Sequence, residues 1–239
     1  MELPEFAPPN LNTQGDKVHS EWLYHFLDDP TIIRPNLQVR MPTFNLSDKD
    51  LNSLIAAFQD IDDTDLIFEA FHSIDKNSDK YKSGKKLASS DLGACNNCHF
   101  YGDTFPIQKD PNTWAPNFAM SKERLRSEWA VDWLRDPQKI MPGTKMPAPY
   151  IPGEYGELDS EDARKVFGES MVNIYDGIKN STEKDSLNYY NKQIMLEGLR
   201  DYLFSIKGKS DISDIIRDYY KENGYKFNEE EEEEDDDDW

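Results

Sequence analysis

The sequence predicts a helical protein, and three observations carry that reading. Apolar residues recur at helical spacing in several separated segments, one stretch of the chain occurs twice in the same order, and prolines and glycines cut the remainder into irregular connections. The 239 residues include 14 Pro and 12 Gly, with 37% hydrophobic against 31% charged residues, and the mean hydropathy is −0.83. A chain of this length can bury one large core or two small ones, but its low apolar content points to modest elements in a soluble fold.

The duplication organises the elements. Pro9-Asn10-Leu11 leads to Trp22 in Ser20-Glu21-Trp22, then to Phe26-Leu27-Asp28-Asp29-Pro30, Ile33 and Pro35. Pro116-Asn117-Phe118 leads at the same interval to Trp129 in Ser127-Glu128-Trp129, then to Trp133-Leu134-Arg135-Asp136-Pro137, Ile140 and Pro142. After a two-residue slip, Arg40-Met41-Pro42 falls on Lys145-Met146-Pro147.

In each copy, Ser20 or Ser127 is the expected N-cap of a short helix that Asp-Pro closes. A proline-punctuated loop follows and ends in Met-Pro. Ser47-Asp48-Lys49-Asp50 then caps a helix with Leu51, Leu54, Ile55 and Phe58 on one face. The matching helix of the second copy is expected later, at about 192–206, with Ile194, Leu196, Leu199, Leu203 and Phe204 apolar. Residues from about 153 to 190 then form a polar insertion. An amphipathic segment, Ile212 to Tyr220, precedes the run Glu229–Asp238, ten consecutive carboxylates that predict a solvated, disordered tail.

Formal net charge is −20 and the pI about 4.5, which argues against nucleic-acid binding and favours basic protein partners. No apolar run is long enough to span a bilayer, and no basic segment followed by an apolar stretch marks a secretory signal.

The chain's two cysteines both lie in Cys95-Asn96-Asn97-Cys98-His99. The spacing is that of a c-type haem attachment site: two thiols three positions apart reach two vinyl groups of one porphyrin, and the adjacent histidine becomes an axial iron ligand. Two other readings stand beside it. Zinc would need two more Cys or His ligands, and His19, His25 and His72 are scattered upstream. A redox dithiol would want a βαβ context, which the flanking residues do not show.

From Gly84-Lys85-Lys86-Leu87 through Cys95–His99, Ala115-Pro116-Asn117-Phe118, Glu128-Trp129, Pro142-Gly143-Thr144-Lys145-Met146-Pro147 and the final helix, the chain resembles class I cytochrome c domains. The resemblance covers about residues 78–206, with the 153–190 insertion as a departure. It implies an all-α cytochrome c fold in which N- and C-terminal helices cross and one haem is wrapped by helices and loops. It also implies roles: Cys95 and Cys98 as thioether attachments, His99 and Met146 as axial ligands, Pro116 and Trp129 in the haem pocket. Pro116 would accept the His99 ring N–H, and Trp114 and Trp133 would join Trp129 in the wall. Soft thioether opposite imidazole favours Fe(II) and leaves no open position for substrate.

The expected organisation is therefore a C-terminal half of a cytochrome c-like module (1–63), a complete cytochrome c domain (64–207), and an amphipathic segment with the acidic tail (208–239). In the second copy His99 precedes Met146 by forty-seven residues, and the same interval before Met41 falls ahead of residue 1. A missing or partner segment completing that pocket would make Met41 an axial ligand of a second haem; a haemless relic is the alternative. The resemblance implies an extracytoplasmic, bacterial (periplasmic) electron-transfer protein carrying haem c. It would serve as a subunit of a larger respiratory or photosynthetic membrane-associated complex, with redox protein partners. The rival is a haem enzyme such as a dihaem peroxidase or a thiosulfate-type oxidoreductase.

Overall fold

Helices account for every extended element of the computed structural model, which describes residues 11, 13–34, 41–64, 70–89, 93–149, 151 and 184–225. The first repeat holds α1 (Gln14–Lys17), α2 (Ser20–Asp28) and α3 (Asp48–Ile61). Then come α4 (Asp79–Ala88), α5 (Ser121–Arg124), α6 (Ser127–Arg135), α7 (Pro137–Ile140), α8 (Lys184–Phe204) and α9 (Ser213–Asn223). Among the described residues the only strand-like pairing is three isolated bridges. The all-α expectation holds at that level, and no described helix is long and apolar enough to cross a membrane.

Local chemistry accounts for the boundaries. Ser47 accepts from the Asp50 N–H while Asp50 reaches back to the Ser47 N–H, a full capping box at the start of α3. Helix α4 begins at Ser78, whose hydroxyl accepts from the Tyr81 N–H. Asp136 ends α6 and caps α7 through the Lys139 N–H. Helix α8 starts at Lys184, inside the expected insertion; residues 153–183 of that insertion lie outside the described residues, as do Pro9, Asn10, Arg40 and the acidic tail.

Two expected caps are corrected. Ser20 and Ser127 are the first helical residues, and His19 and Arg126 are the N-caps, neither with a side-chain cap bond. The reason is the way the repeats meet. Position n of the first corresponds to n + 107 of the second, so Val18 corresponds to Leu125, and these two residues form an antiparallel bridge with each other. His19 donates its N–H to the Arg124 carbonyl and Arg126 donates its own to the Lys17 carbonyl, both at 3.0 Å. These bonds are images of one another about a local twofold axis through the Val18–Leu125 pair. The symmetry extends outward: α1 and α5 correspond residue for residue, as do α2 and α6. Trp22 stacks on Phe26 (4.8 Å, 14°) as Trp129 stacks on Trp133 (5.3 Å, 11°).

Side chains cross the axis reciprocally as well. Lys17 Nζ lies 5.1 Å from the Trp129 ring centroid, and the Arg124 guanidinium lies 5.2 Å from that of Trp22. Each contact is of the cation–π kind, worth about 0.5–2 kcal/mol. Arg126, 3% exposed, adds donation from Nε to the Val18 carbonyl at 3.1 Å.

Each repeat keeps its own core. Val18, Leu23, Leu27, Leu51 and Ile55 form that of the first. Leu87, Ala88, Phe118, Val131, Leu134, Ile151, Met195, Leu196, Leu199 and Leu203 form that of the second. In the second, α4 crosses α8 at Gly84 and Gly198, where a Cβ on Gly84 would fall 2.1 Å from Gly198 backbone atoms. The backbones touch because neither residue has a side chain. Tyr81 and Ser205 join their hydroxyls at 2.9 Å beside this crossing. Helix α9 builds a third cluster, with Ile212, Ile216 and Tyr220 against Phe100 and Trp114.

Candidate functional site

The Cys-x-x-Cys-His segment is a tight turn. Cys95–Asn97 form one turn of 3-10 helix entered through Ala94 at φ 46°, and the His99 N–H donates to the Cys95 carbonyl at 3.0 Å. This coil places both thiols and the imidazole within one short loop. The loop is fastened along its length: Ile107 and Gln108 donate to the Asn96 and Asn97 carbonyls at 2.8 and 3.1 Å, and Ala115 donates to the Cys98 carbonyl at 2.8 Å.

The Pro116-Asn117-Phe118 segment then acts on the histidine, one residue at a time. The Pro116 carbonyl lies 2.7 Å from His99 Nδ1. A carbonyl can only accept, so Nδ1 carries the proton and Nε2 keeps its lone pair. Asn117, 1% exposed, accepts from the Gly102 and Ala119 N–H groups at 2.9 and 3.1 Å and donates to the Gly102 and Lys209 carbonyls at 3.0 and 3.1 Å. Phe118 stacks on the imidazole, centroids 4.2 Å apart and planes 15° from parallel. Burial lowers the His99 pKa to about 4, outweighing the opposite effect of the Pro116 bond, with the Arg34 cation adding to the depression. The ring is thus neutral at physiological pH, with Nε2 unprotonated.

The thiols are shifted the other way. Burial pushes Cys95 up to about 11 and also raises Cys98. Both shifts run away from the thiolate that a reactive dithiol needs.

Met146 packs against the same core as Cys95, and Phe118 of that core covers His99. Its sulfur accepts from Trp133 Nε1 at 2.9 Å. Trp129, 5% exposed, stacks beside Trp133, and its Nε1 is buried with no hydrogen-bond partner. A buried indole N–H without an acceptor is costly unless a ligand supplies one. The structure therefore brings Cys95, Cys98, His99, Pro116, Trp129 and Met146 into one region of the second repeat. Trp114 is elsewhere: it belongs to the α9 cluster with Phe100 and Tyr220 and donates Nε1 to the Gln108 carbonyl at 2.9 Å. Its placement corrects the expectation that it lines the same wall as Trp129 and Trp133.

In the first repeat Met41 is 37% exposed, and Phe44 and Leu54 are exposed as well. An open groove of about 380 Å³ runs along α2, lined by Trp22, His25, Phe26, Asp28, Asp29 and Thr31. No group of three or more His, Cys, Asp or Glu able to hold a metal ion occurs among the described residues.

Three basic residues near this site were not singled out from sequence. Lys17 and Arg124 hold corresponding positions five residues before each repeat's tryptophan, a signal present in the alignment. Arg34, solvent-exposed, stands where the second repeat has Met141. Burial lowers Lys17 to about 7, helped by the Arg124 and Arg34 cations. Arg124 is lowered to about 10 by burial and by Arg34. Comparison with protein-family models, curated proteins and solved structures finds no match for this chain.

Proposed function

We propose that this chain is a c-type cytochrome electron-transfer protein, with haem c attached at Cys95 and Cys98 and held axially by His99 and Met146. The observation that carries the reading is the His99 ring. Its Nδ1 is committed to the Pro116 carbonyl at 2.7 Å, which fixes the tautomer and orientation and leaves Nε2 for iron. The other groups fit the same cofactor. Two unionised thiols three residues apart can add across vinyl groups. The Met146 thioether supplies a soft ligand, with Trp133 positioned to hold the side chain. The unpaired Trp129 N–H offers a donor to an acidic substituent of the porphyrin. When bound, haem iron supplies a one-electron couple with both axial positions filled.

The chain's part in that chemistry is to exclude water, hold the ligands still between oxidation states, and present a negative exterior to a basic partner. We place the protein outside the bacterial cytoplasm, where such attachment occurs, within a larger respiratory or photosynthetic membrane-associated complex. Met41 is proposed as an axial ligand of a second haem whose attachment motif lies in another segment or chain.

Pyridine haemochrome analysis and optical spectra of the purified protein test the reading. The expected result is covalently bound, low-spin haem with a methionine–iron band that Met146→Ala abolishes. High-spin ferric iron with an open axial position would instead favour the haem-enzyme alternative.

A further inference from the structure

Helix α9 lies beyond the stretch that resembles cytochrome c domains, and its apolar face meets a single loop. Ile212, Ile216 and Tyr220 are buried in a cluster separate from the cores of both repeats, and its members from elsewhere in the chain are Phe100, Phe105 and Trp114. All three belong to the loop that carries His99. Within it, two stretches run side by side: His99 and Ala115 form a parallel bridge, Ala115 donates to the Cys98 carbonyl at 2.8 Å, and Phe118 donates to the Phe100 carbonyl at 3.0 Å. Neighbouring side chains of such a stretch face opposite sides. His99 stacks on Phe118 of the second repeat's core, whereas Phe100, fully buried, meets Trp114 at 5.1 Å and Phe105 at 5.4 Å. Two paired stretches hold little stability of their own, so what covers their rear decides how firmly His99 is held.

Further contacts bind the same C-terminal segment to this loop. Asn117 Nδ2 donates to the Lys209 carbonyl at 3.1 Å, and Tyr219 Oη donates to the Lys109 carbonyl at 2.9 Å. The backbones of Gly102 and Gly208 touch: a Cβ on Gly208 would fall 2.8 Å from the Gly102 Cα.

We infer that segment 208–223 is a latch on the rear of the His99 loop, with Ile216 and Tyr220 as positioning residues that act on the imidazole through Phe100 and Trp114. Phe100 adjoins His99 in the chain. Trp114 leads into Ala115-Pro116, whose last carbonyl lies 2.7 Å from Nδ1. Displacing either aromatic therefore moves one of the two anchors of the ring. The inference rests on the haem reading above, because iron bound at Nε2 is what senses the setting of the ring.

The test uses the full-length, haem-loaded protein and the variants Ile216→Ala, Ile216→Val and Tyr219→Phe. It reads amide hydrogen exchange by NMR and the hyperfine-shifted haem methyl resonances of the oxidised form, whose pattern follows axial-ligand orientation. Truncating buried Ile216 should speed exchange of the Ala115 and Phe118 amides about 30-fold or more, together with those of α9. The haem methyl resonances should move as well, and Ile216→Val should recover most of both effects. Tyr219→Phe deletes one hydrogen bond from a half-buried side chain. It should speed the loop amides about fivefold, and it keeps the test intact should Ile216→Ala fold poorly. Faster exchange in α9 with the loop amides unchanged overturns the inference alone. So does faster loop exchange with unmoved methyl resonances, which confines α9 to stability. Absence of haem from the parent protein, read by haemochrome, overturns the haem reading and this inference together.

Discussion

Gly84→Ala places one methyl group at the closest approach of α4 and α8. The new Cβ would lie 2.1 Å from the Gly198 carbonyl carbon and oxygen and 2.3 Å from the Leu199 nitrogen. Carbon contacts settle near 3.5–4.0 Å, so the helices must part by roughly 1.3 Å or more. The obstruction is backbone on both sides, so no side chain can rotate away. Overpacking of this kind costs about 1–3 kcal/mol, and an immovable obstacle argues for the upper end. Alanine in a helix interior recovers about 1 kcal/mol of propensity over glycine. The steric cost should win, with a net loss of about 2 kcal/mol. At about 2–4 °C per kcal/mol for a chain this size, the melting midpoint falls by about 4–8 °C. Thermal melts followed by far-UV circular dichroism measure it, with Gly198→Ala as a parallel case because its Cβ would meet the Lys80 carbonyl oxygen at 2.0 Å. An unchanged or raised midpoint in either variant would mean that propensity wins and that the backbones do not touch as described.

Ser83, next to that crossing, is fully buried and its hydroxyl has no partner; Ser83→Ala should stabilise the protein by up to about 1 kcal/mol in urea titration, since an unpaired polar group is removed. Asn117→Ala strands the Gly102 and Ala119 N–H groups and should cost about 2–3 kcal/mol. It should also loosen the Pro116–His99 contact, and undiminished stability would refute the view that these four Asn117 bonds hold the loop. Electron exchange with a basic redox partner should slow as salt is raised from low ionic strength, because the −20 charge is screened; stopped-flow rates independent of salt would count against steering.

Elements with strong 3.6-residue apolar spacing were legible in sequence, and the symmetry of the repeats explains what was not. Helix α3 announces itself by Ser47, Asp50 and the Leu51–Ile55–Phe58 face, all local features. The segment 184–191 has no such spacing, so the true start of α8 could not be read. His19 and Arg126 replace the expected serine caps because their N–H groups bond across the Val18–Leu125 axis, a pairing that depends on residues 107 positions apart. Trp114 was expected in one wall with Trp129 and Trp133, but it packs with α9, and nothing near it in sequence points there. At the candidate site the converse holds: Cys95, Cys98, His99, Pro116 and Phe118 form one locally wired unit, of which spacing exposes the two thiols and the histidine, and the family resemblance implies Pro116. Lys17 and Arg124 hold corresponding positions in the two repeats, but their contacts with the opposite repeat's tryptophan became visible only when the repeats met.

The most direct measurement is mass spectrometry of the peptide containing Cys95–His99, taken from protein produced in cells that attach c-type haem. The account predicts a peptide heavier by one haem, with both thiols alkylation-resistant. A peptide of unmodified mass, its two cysteines free or disulfide-linked in haem-replete cells, would contradict it.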